Sequence, residues 1–191
     1  MRPGSHPGAG RGGCRSDAGP GGLRSGEGTR RMKKILNWEA LKNEVERRRG
    51  EGQKIAFTNG CFDILHVGHV RYLREARKTG DLLILALNSD ASVRAIKGDK
   101  RPLVPQQERA EVAASLEAVD YVTLFDEKTP LKLIEYLRPD CLVKGGDWKE
   151  DAVVGSDAVR SWGGRVVLIP VVEGASTTNI VEKILRIHGK G

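Results

Sequence analysis

No apolar run in this chain of 191 residues approaches the length of a membrane span, so nothing in it reads as a membrane protein. Cysteine is scarce. Cys14, Cys61 and Cys141 form no CxxC pair, and with no secretory pattern they point to a reducing, cytoplasmic compartment. The N-terminus carries arginines but no apolar h-region, so it does not read as a signal peptide. Internal repeats are absent, and the length suits one domain with a single well-buried core. Strong overall charge is also missing where it would matter. The net +7 includes six arginines, one Asp and one Glu within residues 1–31, a local +4, which leaves an ordinary +3 over the remaining 160 residues. That balance argues against a nucleic-acid partner for the folded part.

Residues 1–31 hold ten of the 24 glycines and almost no apolar residues. Such a segment cannot bury enough surface to offset its ordering entropy, so it is expected to be disordered. Met32-Lys33-Lys34-Ile35 looks like an ordinary protein start, and a misassigned upstream start is one reading of the extension. A basic tail for an acidic surface and an organelle leader are the alternatives, and the abundant glycine argues against the leader. The folded domain is read as 32–191.

From there the pattern alternates. Asn37 is suited to cap a helix from Trp38 to about Arg49 with Trp38, Leu41 and Val45 on one stripe. Strands are expected at about 54–59, 82–87, 121–124, 141–143 and 166–169. Helices are expected from the residues after His66 to about Thr79, at 106–118 with Val112, Ala113 and Leu116 inward, from Pro130 to before Pro139, at 156–162, and from Ser176 or Thr177 to about Ile187. Residues 91–102, with four cations, read as a basic loop. Repeated βα units with apolar strands imply an α/β fold: a parallel sheet of about five strands with helices on both faces. Ligands bind such sheets at the carboxyl ends of the strands.

The most informative stretch follows the first strand: Asn59-Gly60-Cys61-Phe62-Asp63, then His66-Val67-Gly68-His69. It joins a strand to a helix start, where free N–H groups and the positive dipole end suit an anion. His66 and His69 share one face, Gly68 leaves room for close approach, and imidazole donors can stabilise charge built up in a transfer. By themselves, two histidines so spaced also fit a surface pair, a capping arrangement or half of a zinc site; the other histidines, His6 and His188, lie at the chain ends, which disfavours zinc. Other candidates fall after later strands. They are Asn88-Ser89-Asp90, the cations Lys97 and Arg101, Arg109 at the next helix start, Lys144-Gly145-Gly146-Asp147, and the hydroxyl run Ser176-Thr177-Thr178. Each has a plainer reading as turn, solvated basic loop, surface arginine or helix cap.

The motif Gly60-Cys61-Phe62-Asp63-Ile64-Leu65-His66-Val67-Gly68-His69 resembles the signature of the nucleotidyltransferase superfamily that includes the cytidylyltransferases. Val143-Lys144-Gly145-Gly146-Asp147 and Ser176-Thr177-Thr178-Asn179-Ile180 match it as well, and the likeness covers roughly residues 34–188. With Asn88-Ser89-Asp90, Lys97-Gly98 and Arg101-Pro102, the chain looks most like the branch of D-glycero-β-D-manno-heptose 1-phosphate adenylyltransferases. In many relatives a sugar-kinase domain precedes this one, so the chain resembles a stand-alone form with a separate kinase. Glycerol-3-phosphate cytidylyltransferases carry an arginine where this chain has Val171.

The resemblance implies a Rossmann-like HxGH nucleotidyltransferase fold and a reaction joining ATP to a sugar 1-phosphate with release of pyrophosphate. It implies catalytic roles for His66, His69 and Lys97. Nucleotide contacts are implied for Asn59, Gly60, Cys61, Phe62, Asp63, His66, Gly68, His69, Gly145, Asp147, Ser176, Thr177 and Thr178. Acceptor contacts are implied for Asp63, Asn88, Lys97, Arg101, Arg109 and Lys144. Mg²⁺ is expected to arrive with ATP, with no metal site of the protein's own, and a homodimer is expected. The competing expectations are another transferase of the superfamily with a different small phosphate substrate, or a non-enzymatic nucleotide-sensing or nucleic-acid-binding module.

Overall fold

A computed structural model describes residue 1 and residues 33–146, 149–170 and 176–189. The Gly/Arg-rich extension, Asp147 and Val171 lie outside the described residues. The first helix, α1 (Trp38–Gly50), starts where Asn37 Oδ1 accepts the Ala40 N–H at 2.8 Å. It buries Leu41 and Val45 completely, and Trp38 Nε1 donates to the Leu124 carbonyl at 2.8 Å. Alternation then sets in: β1 (Ile55–Gly60), α2 (Val67–Arg77), β2 (Leu82–Asn88), α3 (Asp90–Lys97), α4 (Gln106–Ala114), β3 (Tyr121–Phe125), α5 (Leu131–Leu137), β4 (Cys141–Gly145), a 3₁₀ turn (Glu150–Ala152), α6 (Ser156–Ser161), β5 (Arg165–Ile169) and α7 (Thr177–His188).

All five strands pair in parallel, in the order β3-β2-β1-β4-β5. The two-residue period of the central strands divides the core between two faces. Ile55, Phe57, Leu82, Ile84 and Ala86 pack with Leu41, Val45, Leu133, Ile134, Leu137 and Val159, under α1, α5 and α6. Ala56, Leu83, Leu85 and Leu87 pack with Leu73, Ala76, Ala110 and Ala113, under α2 and α4. Each fully buried Leu or Ile contributes roughly 1.5–3 kcal/mol relative to exposure, so this sandwich supplies the main stabilising term.

The amino edge of the sheet is closed by aspartates. Asp81 accepts the Lys54 N–H at 2.7 Å, Asp120 the Leu83 N–H at 2.8 Å and Asp140 the Ile55 N–H at 3.0 Å. The N-terminal segment covers part of the outer edge of β3, with Leu36 N–H donating to the Val122 carbonyl at 2.9 Å and Val122 N–H to the Lys34 carbonyl at 2.8 Å. Such cover protects an otherwise open strand. The carboxyl edge is left for function.

Two expectations need correction. The basic stretch after β2 is helical through Lys97: Ser89 Oγ accepts the Ser92 N–H, Asp90 sits in the first turn, Val93 is fully buried, and Gly98 ends the helix with φ 88°. A hydroxyl cap, a first-turn acid and one apolar anchor suffice for a helix this short. The helix begun at Gln106 stops at Ala114, and it buries Arg109, Ala110, Ala113 and Ala114 while Val112 stays 47 % exposed. The small alanines let it lie close to the sheet.

Gly80 ends the α2–β2 connection against bare backbone. A Cβ there would stand 2.8 Å from the Lys54 carbonyl oxygen and 2.9 Å from the Ala56 nitrogen. Gly80→Ala is expected to destabilise the fold by about 1–3 kcal/mol, seen as a lower urea midpoint with the same m-value. An unchanged midpoint would show that the connection yields freely.

Candidate active site

β1 ends at Gly60, and the chain then turns through Cys61-Phe62-Asp63 toward α2. Phe62 takes a left-handed φ of 45°, a conformation a bulky residue adopts only when its surroundings hold it there. Its ring folds back over Gly60, where a Cβ would meet the ring at 2.8 Å, so glycine is what that position admits. The same ring packs on His69 at 4.7 Å between centroids, and His69 stacks on His66 at 3.8 Å. His66 is the N-cap of α2 but makes no side-chain capping bond.

Nδ1 of both histidines is buried with no hydrogen-bond partner among the described residues, leaving Nε2 as the nitrogen a ligand reaches. Burial, then the neighbouring His66 and Lys97, lower the His69 pKa to about 4, and burial lowers that of His66. Both rings are therefore neutral donors at pH 7 rather than cations.

The two imidazoles face a cavity of about 350 Å³. From β1 and α2 it takes Asn59, Phe62, His66, Gly68, His69 and Tyr72; from the α3 end Lys97, and beyond it Arg101; from β4 Lys144 and Gly145; from the start of α7 Ser176, Thr177 and Thr178. Ser176 Oγ accepts the Asn179 N–H at 3.0 Å, and Thr177 Oγ1 donates to the Ile64 carbonyl at 3.3 Å, which ties α7 to the histidine loop. The plain capping reading of Ser176 thus holds, and the helix start it caps lines the cavity. Tyr72, unanticipated from the sequence, bonds Thr58 Oγ1 at 2.6 Å and donates to the Val143 carbonyl at 3.2 Å; burial pushes its pKa up to about 12.

A second cavity, about 490 Å³, adjoins the first and shares Asn59, Lys97 and Lys144 with it. Gly60, Cys61 and Asn88 line this one and not the first. Its other walls, also unanticipated, are Ile96, Lys128-Thr129-Pro130 after β3, and Ala152-Val153-Val154 after β4. The rule that ligands sit past the carboxyl ends of strands, applied to β3, would have drawn attention to Lys128-Thr129-Pro130.

Asp63 and Arg109, expected to contact ligands, line neither cavity and are held by the protein's own groups. Asp63 Oδ1 accepts the N–H groups of Leu103 and Val104 at 2.8 and 2.9 Å, and Oδ2 pairs with Arg101 Nε at 2.9 Å. The Arg109 guanidinium is fully buried and donates to the Val104 carbonyl, the Cys61 carbonyl and Asp90 Oδ1 at 2.9, 2.6 and 2.7 Å. Together they fasten the Cys61–Asp63 turn to the segment that carries Arg101. Asn88 is partly structural too, donating to Ser92 Oγ at 2.9 Å.

Among the described residues no carboxylate lines either cavity, and no group of three or more metal-ligating side chains occurs. The described donors, imidazoles, hydroxyls and cationic side chains, suit phosphate oxygens. No helix among the described residues is long and apolar enough to cross a membrane.

A family model described as cytidylyltransferase-like matches residues 57–183. The bifunctional protein HldE of Geobacter metallireducens is 57 % identical over 157 residues, covering 82 % of this chain and 32 % of the relative. That of Syntrophotalea carbinolica is 58 % identical over 158 residues, covering 83 % and 32 %. The chain thus spans about a third of the length of these curated relatives. The crystal structure of a lipopolysaccharide core biosynthesis protein from Thermoplasma volcanium superposes with a TM-score of 0.54 at 26 % identity, over 65 % of this chain and all of that one.

Two outcomes follow from this geometry. Unfolded histidine takes up a proton near 6.5, but His69 in the folded protein does so only near 4. Between those values the unfolded state binds more protons, so stability falls as pH falls. His69→Gln is expected to flatten that loss between pH 6.5 and 4 in urea midpoints; an unchanged slope contradicts a neutral, buried ring. Arg109→Met leaves Asp90 and two carbonyls without their partner, and is expected to cost about 3–5 kcal/mol by chemical denaturation. A loss below about 1 kcal/mol would mean that the bracket is not holding the turn.

Proposed function

This chain belongs to the cytidylyltransferase-like family of nucleotidyltransferases, and from that premise we propose that it joins ATP and D-glycero-β-D-manno-heptose 1-phosphate to give ADP-heptose and pyrophosphate. The observation that carries the reading is the convergence of the stacked pair His66 and His69 with the hydroxyl-rich start of α7 on one cavity. The identity to HldE proteins and the likeness to a lipopolysaccharide core biosynthesis protein support a sugar acceptor in surface-glycan synthesis. The heptose phosphate has to be supplied by a sugar kinase, on the same or another chain.

In the reaction an acceptor phosphate oxygen attacks the α-phosphorus of ATP. A new P–O bond forms as the bond to the β-phosphate breaks, and pyrophosphate leaves in line. The attacking group is already anionic, so no proton has to be removed and no protein nucleophile is needed. What remains is positioning and charge stabilisation. The free N–H groups of α7 and the hydroxyls of Thr177 and Thr178 hold the triphosphate. His66 and His69 donate from Nε2 to oxygens whose charge grows in the transition state. Lys97, Arg101 and Lys144 offset the repulsion between two anionic reactants. Mg²⁺, bound to ATP, neutralises triphosphate oxygens. Asp63 and Arg109 act by placing these groups.

His69→Ala is expected to lower kcat on the order of 10²–10³-fold with an unchanged thermal midpoint; a variant with wild-type turnover refutes the role. A pyrophosphate-release panel tests the substrates. ATP with the heptose 1-phosphate should turn over, and CTP with glycerol 3-phosphate should not. The opposite pattern would establish a cytidylyltransferase of an alcohol phosphate.

A further inference from the structure

The second cavity opens beside the first at the carboxyl ends of the strands. In-line displacement brings the attacking oxygen to the α-phosphorus from the side opposite the leaving pyrophosphate. With the pyrophosphate end of ATP against α7, attack comes from the boundary between the cavities, where Asn59, Lys97 and Lys144 line both. Among the described residues, Lys144 Nζ donates only to the neutral Asn59 Oδ1, at 3.3 Å. Burial lowers its pKa, and an anion at that point would favour the ammonium.

From these facts we infer that the second cavity is the acceptor compartment for a phosphorylated polyhydroxy sugar, whose phosphate lies between Lys97 and Lys144, and that Lys128 and Thr129 are the specificity-determining residues that read its hydroxyls. The inference rests on the triphosphate occupying the first cavity. The volume of about 490 Å³ falls in the range of small-molecule sites. Its chemistry is two-sided, as a sugar ring requires. Ile96 and Val154 stand 47 % and 43 % exposed at the rim, open to the C–H face of a ring. Asn88, Thr129 and Lys128 offer hydrogen bonds to hydroxyls.

The Lys128-Thr129 wall is built, not incidental. Ser92 Oγ donates to the Glu127 carbonyl at 2.7 Å while accepting from Asn88, and Ser89 N–H donates to the Phe125 carbonyl at 2.9 Å. The end of β2 thus anchors the turn after β3. Lys132 pairs with Glu127 at 3.3 Å, whereas Lys128 forms no ion pair among the described residues and is left for a ligand.

The test compares Lys128→Ala and Thr129→Val with the wild type in two assays. In steady-state pyrophosphate release, KM for D-glycero-β-D-manno-heptose 1-phosphate should rise about tenfold, the loss of one hydrogen bond to a charged or polar group. KM for ATP should stay within about twofold and kcat should change far less than the sugar KM. In calorimetry with a non-hydrolysable ATP analogue present, the heptose phosphate should bind about tenfold more weakly to the variants. A rise in the ATP KM instead would place the nucleotide in this cavity and overturn the inference, and so would unchanged sugar-phosphate affinity in both variants. If the wild type released no pyrophosphate, the proposed reaction would fall, and the calorimetric comparison would still decide which ligand this cavity takes.

Discussion

The carboxylate of Asp63 sets how the walls of the site face one another. It is 5 % exposed, and it accepts two backbone N–H groups of the segment after α3 while pairing with Arg101. Every one of these partners lies about forty positions along the chain, so a single side chain joins the histidine turn to the cationic wall. Arg109 completes the joint from α4, reaching the Cys61 carbonyl and Asp90 at once. Removing one partner of such a buried pair leaves an uncompensated charge, so the bracket is held far more firmly than a surface salt bridge would be. A phosphate-transfer site depends on that firmness, because misplacing a donor by an ångström forfeits much of its effect.

The parallel sheet explains why the donors meet. β1 and β4 are neighbours, and their carboxyl ends deliver Asn59 and Lys144 side by side. The helix starts after β1 and β5, on α2 and α7, line the same cavity. Lys97, Arg101 and Lys144 line the site, and among the described residues no carboxylate does, which fits two anionic reactants. It also places neutral imidazoles where the dielectric is low, so donation carries more weight than it would in water.

Much of this was legible in the residues. The continuous apolar run Leu82–Leu87 announced a strand covered on both faces, and the two histidines, Lys97, Arg101, Lys144 and the Ser176–Thr178 hydroxyls do share one cavity. What escaped reading depends on tertiary contact. An arginine near a helix start signals a solvated surface, and it is the Asp90 carboxylate with the Cys61 and Val104 carbonyls, brought together by the fold, that makes burial of Arg109 tolerable. Helix α3 was hidden because cations outnumber its single buried anchor, Val93. Tyr72 merged with the apolar stripe of α2, although its hydroxyl bridges β1 and β4. Lys128 and Thr129 carry no signal of their own in the sequence, since no local pattern says that the end of β2 holds them against a cavity.

The central claim is that both imidazoles and the α7 start grip one triphosphate. Its most direct test is a two-dimensional NMR titration with a non-hydrolysable ATP analogue and Mg²⁺, following the His66 and His69 ring protons together with the Thr177 and Thr178 amides. The account predicts that all four respond along one binding isotherm with a single Kd. Movement of the α7 amides with silent histidines, or two separate isotherms, would contradict it.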